Sequence, residues 1–204
     1  MAQRSVMSHA FARVPSANIP RSKFRRSSGY KTTMDSGVLV PIFSDEVLPA
    51  DTHTVQMNLF GRFATPLHPT MDNLRLDTFF FFVPNRLIWD NWQKFNGEQD
   101  NPGDSTDFLV PQVVHSWPEL SLGDYLGIPP GTSFSVNALY FRAINLIWNE
   151  WFRDENLQDS LPVAKDDGPD PASNYTTYGS SGAELLPRRG KRHDYFTSAL
   201  PWPQ

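Results

Sequence analysis

Five histidines, His9, His53, His68, His115 and His193, are the side chains best suited to proton transfer or metal ligation near neutral pH. No two of them stand at helical spacing from each other. The chain holds no HExxH, no Walker-type glycine loop and no GxGxxG. Cysteine is absent, which removes thiolate nucleophiles, disulfides and thiolate metal sites. His193, Asp194 and Ser198 are the residue types of a hydrolytic set, but a triad is built in space and not by adjacency. The plainer reading is a surface His–Asp pair beside a basic patch. Asp166 and Asp167 lie in a Pro-Gly loop and could offer oxygens to calcium, yet the spaced oxygen series of an EF-hand is missing. A solvated loop is the plainer reading there too. No catalytic residue, metal or cofactor is expected, and the chain is not read as an enzyme.

Charge is the stronger signal. The net charge is −4, but residues 1–33 carry seven of the 18 basic residues and none of the 22 acidic ones. The remainder therefore sets eleven bases against 22 acids, a balance of −11. A basic arm on an acidic body points to a polyanion met on one side only. Arg13, Arg21, Lys23, Arg25, Arg26 and Lys31 are the candidate nucleic-acid-binding residues. Phosphate contact and clamping of a neighbouring subunit are both open readings of that arm.

The elements that would position these groups centre on Leu74–Phe95. The run Phe79–Phe82 is too apolar for water and predicts a strand covered on both faces, ended by Pro84. Base stacking is a minor alternative for such aromatics. Asn85 can cap a following helix, with Ile88, Trp92 and Phe95 on one face and Gly97 as its stop. Residues 37–43 predict an edge or bulged strand, and residues 53–63 alternate with period two. Residues 98–118 read as a long surface loop. Ser121 caps a short helix to Leu126, stopped by Gly127. The longest predicted helix spans 136–153, with a polar stripe of Arg142, Asn145, Asn149 and Arg153 and an apolar arc wide enough to be covered on more than one side. Residues 159–182 read as an exposed loop. That aromatic surface exceeds what 204 residues can easily cover, so the helix and both loops are expected to form subunit contacts, with Tyr140, Trp148, Trp151 and Phe152 as the candidates. No apolar run approaches the roughly 20 residues of a membrane span, and no secretory h-region is present.

The blocks MDNLRLDTFFFFVPNRLIWDNWQKF, IPRSKFRRSSGYKTTMDSGVLVPIF and KRHDYFTSALPWPQ are collinear, and the resemblance they carry covers nearly the whole chain. Together they resemble the major capsid protein of the microviruses, the small single-stranded DNA phages, and most closely the gokushovirus branch. The resemblance implies a mainly β fold, a viral jelly-roll β-sandwich with long loop and helical insertions. It also implies that this sequence is an amino-terminal fragment, so that the roll is incomplete here. Residues 1–36 would be a basic extended arm, 37–84 the first strands of the roll, and 85–204 a helical and loop insertion leading back to the remaining strands. The implied function is self-assembly into a T=1 icosahedral shell around a circular single-stranded DNA genome. The implied partners are copies of itself, that genome and other virion proteins, with no membrane. The implied location is the virion, assembled in the host bacterial cytoplasm. The alternative from the residues alone is a non-enzymatic nucleic-acid-binding module using the arm and the Arg188–Arg192 cluster.

Overall fold

The computed structural model describes residues 19–71, 73–178, 186–190, 192 and 195–196. The chain divides into two units, Met1–Thr32 and Thr33–Gln204. In the first, residues 19–32 are irregular and exposed, as low apolar content and repeated like charge dictate.

The second unit is built on short elements between Asn85 and Thr176. A 3-10 turn at Asn85–Leu87 leads to helix α1 at Trp92–Phe95. The helix expected from Asn85 is thus broken into two turns, and Asn91, not Asn85, is the residue before α1. The stop at Gly97 is as expected. With φ at +96°, its N–H bonds the Lys94 carbonyl while the Glu98 N–H reaches Gln93, the Schellman pattern that satisfies a helix's last carbonyls. Ser121 opens helix α2 at Leu122–Tyr125, its hydroxyl accepting from the Asp124 N–H, and Gly127 closes it at φ +91° with the same pair of bonds.

Strands β1, Gln112–Ser116, and β2, Ser133–Asn137, form an antiparallel ribbon with Val113 opposite Val136 and His115 opposite Phe134. Both correct the sequence reading. β1 lies inside the stretch expected to be a surface loop, and β2 takes Val136 from the expected start of the long helix. Five-residue strands among prolines and acids carry too little alternation to declare themselves; pairing with each other makes them strands.

Helix α3 spans Leu139–Ile147 and continues as one turn of π-helix, Trp148–Phe152. It lies between two apolar clusters. Phe141 and Ile144 face Trp117, Leu122 and Tyr175, while Leu139, Ala143 and Leu146 face Ile88 and Trp89. The wide apolar arc is therefore covered on two sides, as expected. Phe141 and Trp117 stack at 4.7 Å and 10°, and each buried aromatic of this size stabilises by roughly 2–3 kcal/mol. Helix α4, Ser173–Thr176, is a single turn that delivers Tyr175 to the first cluster.

The expected early strands do not form a sheet. Residues 53–63 and 74–83 form no regular element, and among the described residues no strand pairs with either. Val38 makes only an isolated bridge to Arg188. The jelly roll is thus not present within the described residues. Phe79, Phe80, Phe81 and Phe82 are 41, 56, 42 and 73% exposed, so the expectation of a strand buried on both faces is overturned for this chain. The physical reason is that apolarity gives a segment a reason to be covered but no ladder; an unpaired strand leaves its N–H and C=O groups to water.

Candidate functional site

The polar stripe of α3 points inward. Arg142 and Asn145 are fully buried, the reverse of what a polar stripe between apolar positions suggests. Arg142 Nε donates to Asp170 Oδ2 at 2.8 Å and Nη2 to Oδ1 at 2.5 Å. Its Nη1 donates to the carbonyls of Ile88 and Asp166, both at 3.0 Å. Tyr175 adds a hydroxyl to Asp170 at 2.5 Å. Burial alone would lower the Arg142 pKa, but the hydrogen bonds and charge of Asp170 outweigh it and hold the guanidinium more firmly protonated. Burial, then the hydrogen bond to the Asp170 carboxylate, pushes the Tyr175 hydroxyl well up.

The same stripe reads the main chain of the following loop. Asn145 Nδ2 donates to the carbonyls of Pro162 and Asn174, at 3.0 and 3.2 Å. Asn149 donates to the Leu161 carbonyl and accepts the Leu161 N–H, at 2.8 and 2.7 Å. Arg153 donates to the Gln158 carbonyl at 3.0 Å. Residues 158–176 are therefore strapped to the helix rather than left as the expected exposed loop. Asp167 is also engaged: Trp89 Nε1 donates to one oxygen at 2.5 Å and Asn91 Nδ2 to the other at 2.7 Å. Asp166 takes Arg142 Nη2 on its carboxylate at 3.4 Å, and both aspartates remain solvent-exposed, as expected of the loop.

A second strap, residues 186–190, gathers three distant segments. Leu39 N–H donates to the Pro187 carbonyl at 2.9 Å and Arg189 N–H to Gly37 at 3.1 Å. Trp148 Nε1 donates to the Arg188 carbonyl at 2.7 Å, and Gly190 N–H to Phe152 at 2.6 Å. A Cβ on Gly190 would sit 3.2 Å from that Phe152 carbonyl, so glycine permits the approach. Arg189 Nη1 reaches Asp77 at 3.0 Å, with Arg192 on the same carboxyl at 3.6 Å.

These straps bring up the aromatic surface that would serve assembly. Phe79 lies edge-on to Phe152 at 5.3 Å, and Phe81 lies edge-on to Phe152 and Trp151 at 5.8 and 6.0 Å. Of the four candidate contact residues, Trp148 and Phe152 are taken up inside the chain. Tyr140 is half-buried and donates to Glu46 at 2.9 Å; burial, then that hydrogen bond, raises its pKa to about 12. Trp151 is 63% exposed and offers open apolar surface. The π turn accounts for the split: five residues in one turn leave Trp148 and Phe152 on the inner side and Trp151 outside.

Arg21, Lys23, Arg25, Arg26 and Lys31 lie on exposed backbone, and Arg13 is outside the described residues, as are His193, Asp194 and Ser198. Among the described residues no group of three His, Cys, Asp or Glu could hold a metal ion, and no helix is long and apolar enough to cross a membrane. Sequence reasoning missed Asp77 and Asp170, and it named Arg189 only as part of the Arg188–Arg192 basic cluster; the fold supplies the partner of each.

The chain is 50% identical over 200 residues to the capsid protein VP1 of Bdellovibrio phage phiMH2K, covering 96% of this chain and 36% of that protein. It is 47% identical to VP1 of Chlamydia phage 1, over 97% of this chain and 36% of that one. It is 33% identical to VP1 of Spiroplasma virus 4, over the whole of this chain and 38% of that one. The chain thus spans a little over a third of the length of these relatives. The family model described as capsid protein (F protein) matches residues 12–204. On that near-complete match, the chain belongs to the capsid protein (F protein) family of the microviruses.

Proposed function

We propose that the chain serves as a structural, non-catalytic capsid protein that self-assembles with its own copies into a T=1 icosahedral shell around circular single-stranded DNA. The observation that carries this is the family match over residues 12–204. The exposed aromatic segment 74–82 and Trp151 support it, since apolar surface on this scale is stable only when something covers it. In this reading residues 1–36 are the genome-contacting arm, 37–84 pair as strands of a jelly roll in the assembled shell and not in this chain by itself, and 85–204 are an insertion that meets neighbouring subunits and other virion proteins. The protein resides in the virion and assembles in the host bacterial cytoplasm. The test is expression of the complete reading frame in bacteria, followed by sedimentation and electron microscopy of the product. Uniform closed particles that protect single-stranded DNA from nuclease are expected. Small species that bind DNA with salt-dependent affinity but never close into particles would favour the binding-module alternative.

A further inference from the structure

A run of four phenylalanines poses a register problem. Phe79 and Phe81 stack on one side of the segment, with Phe80 and Phe82 the more exposed pair, the alternation that a strand-like run gives its side chains. A slip of one residue would exchange the pairs at no cost in apolar character, because the two faces are chemically identical. The run cannot specify its own facing. Yet the structure shows a definite choice. Phe79 and Phe81, 6.3 Å apart, lie against Phe152 and Trp151, while Phe80 and Phe82 are the more exposed pair.

We propose that Asp77 is a register pin for this segment, acting through Arg189. Asp77 stands two residues before Phe79 and so on the same face. Its carboxylate meets Arg189 at 3.0 Å, and the same guanidinium lies 6.0 Å over the Phe79 ring. One arginine thus grips both the acid and the first inward phenylalanine. Arg189 is itself held by backbone, through its N–H to Gly37 and through the neighbouring Gly190 N–H to Phe152. A one-residue slip moves the segment by about 3.3 Å and turns residue 77 to the opposite face. The carboxylate would leave Arg189, and Leu76 or Thr78 would take its place. The ion pair is part-exposed, and such pairs are individually weak. A weak contact is enough to bias the phenylalanine run, whose two faces are alike, and it acts alongside Val83, which packs against the Ile88 and Trp89 cluster just downstream. The pin deepens the assembly reading: it decides which pair of phenylalanines is presented outward.

Because the chain has no cysteine, single-cysteine variants report the facing directly. Phe79→Cys, Phe80→Cys, Phe81→Cys and Phe82→Cys would be labelled with a soluble maleimide in the full chain. Each would be made with native Asp77, with Asp77→Asn, and with the exchanged pair Asp77→Arg plus Arg189→Asp. With native Asp77, positions 80 and 82 should label faster than 79 and 81. In Asp77→Asn the contrast should shrink by about fivefold, the factor that roughly 1 kcal/mol supports, and the exchanged pair should restore part of it. Asp77→Asn is isosteric, and emission from buried Trp89 and Trp117 verifies that the body is intact. Equal labelling at all four positions with native Asp77, or an undiminished contrast in Asp77→Asn, overturns the pin. Neither result bears on whether particles form, so the pin and the capsid reading fail separately.

Discussion

Arg142 and Asp170 meet as a two-pronged ion pair with both side chains sealed from water, 0% and 1% exposed. The planar guanidinium fork matches a carboxylate, and its remaining donor is used by main-chain carbonyls. Losing one member strands a buried charge, so Arg142→Met or Asp170→Asn should each cost about 3–5 kcal/mol. Arg142→Met with Asp170→Leu should cost less than the two single changes added together, because no charge is left alone. Denaturant midpoints of the four proteins check this. Single changes costing under about 1 kcal/mol would mean that the pair does not hold the strap.

Gly123 admits no side chain. A Cβ there would fall 2.2 Å from Trp117 Cδ2, with two further indole carbons inside 3 Å. Trp117 is pressed from its other surroundings by Phe141, so the indole cannot retreat freely. Gly123→Ala should therefore destabilise by about 1–3 kcal/mol, the usual cost of overpacking. Thermal melting decides it, and a gain in stability from the added methyl would contradict the close approach.

What could be read from the sequence was local. Ser121 and Gly127 announced α2, and Gly97 announced the stop after α1, because caps depend on chemistry within a turn. The wide arc of α3 correctly foretold cover on two sides. The inward turn of Arg142 and Asn145 was not legible, since a polar stripe looks the same facing water or facing a buried loop backbone. Asp170, 28 residues away, decides the matter. The β1–β2 ribbon was missed because pairing, not periodicity, defines strands this short. For the candidate site, sequence named Trp151 but could not separate it from Trp148 and Phe152; the π turn does that.

Phe141 and Phe80 should respond oppositely to truncation in this chain. Phe141 is 1% exposed and stacked on Trp117, so Phe141→Ala should cost about 3–5 kcal/mol. Phe80 is more than half exposed, and Phe80→Ala should stay within about 0.5 kcal/mol. Paired melting curves give the contrast. Equal losses would return Phe80 to the core.

Three tyrosines tie stability to alkaline pH. Burial raises the hydroxyls of Tyr175 and Tyr178, and burial with Glu46 raises Tyr140 to about 12. Raised folded values mean that the fold favours the neutral phenol. Their contribution is fully present below about pH 10, the unfolded value, and is lost as the pH rises toward and through the folded ones. The denaturant midpoint should therefore fall between about pH 10 and pH 12. Tyr140→Phe should flatten part of that fall, which isolates the share of this phenol. An unchanged slope in Tyr140→Phe would rule out its share.

The basic arm is expected to hold nucleic acid through phosphates alone. Residues 19–32 present Arg21, Lys23, Arg25, Arg26 and Lys31 on exposed, irregular backbone, with no helix or strand to enter a groove. Such contacts ignore base sequence and weaken with salt, each neutralised phosphate adding roughly 0.7 to the single-strand slope. Changing Arg21, Lys23, Arg25 and Arg26 together to Gln should lower that slope by up to roughly 3 units and should weaken all sequences alike. Binding of fluorescent oligonucleotides across a salt series measures the slope. The same four changes in the complete reading frame separate the two roles open to the arm. If empty shells still form while DNA-filled particles become scarce, the arm binds genome. If shells themselves fail to close, the arm clamps a neighbouring subunit and its assignment to phosphates is wrong.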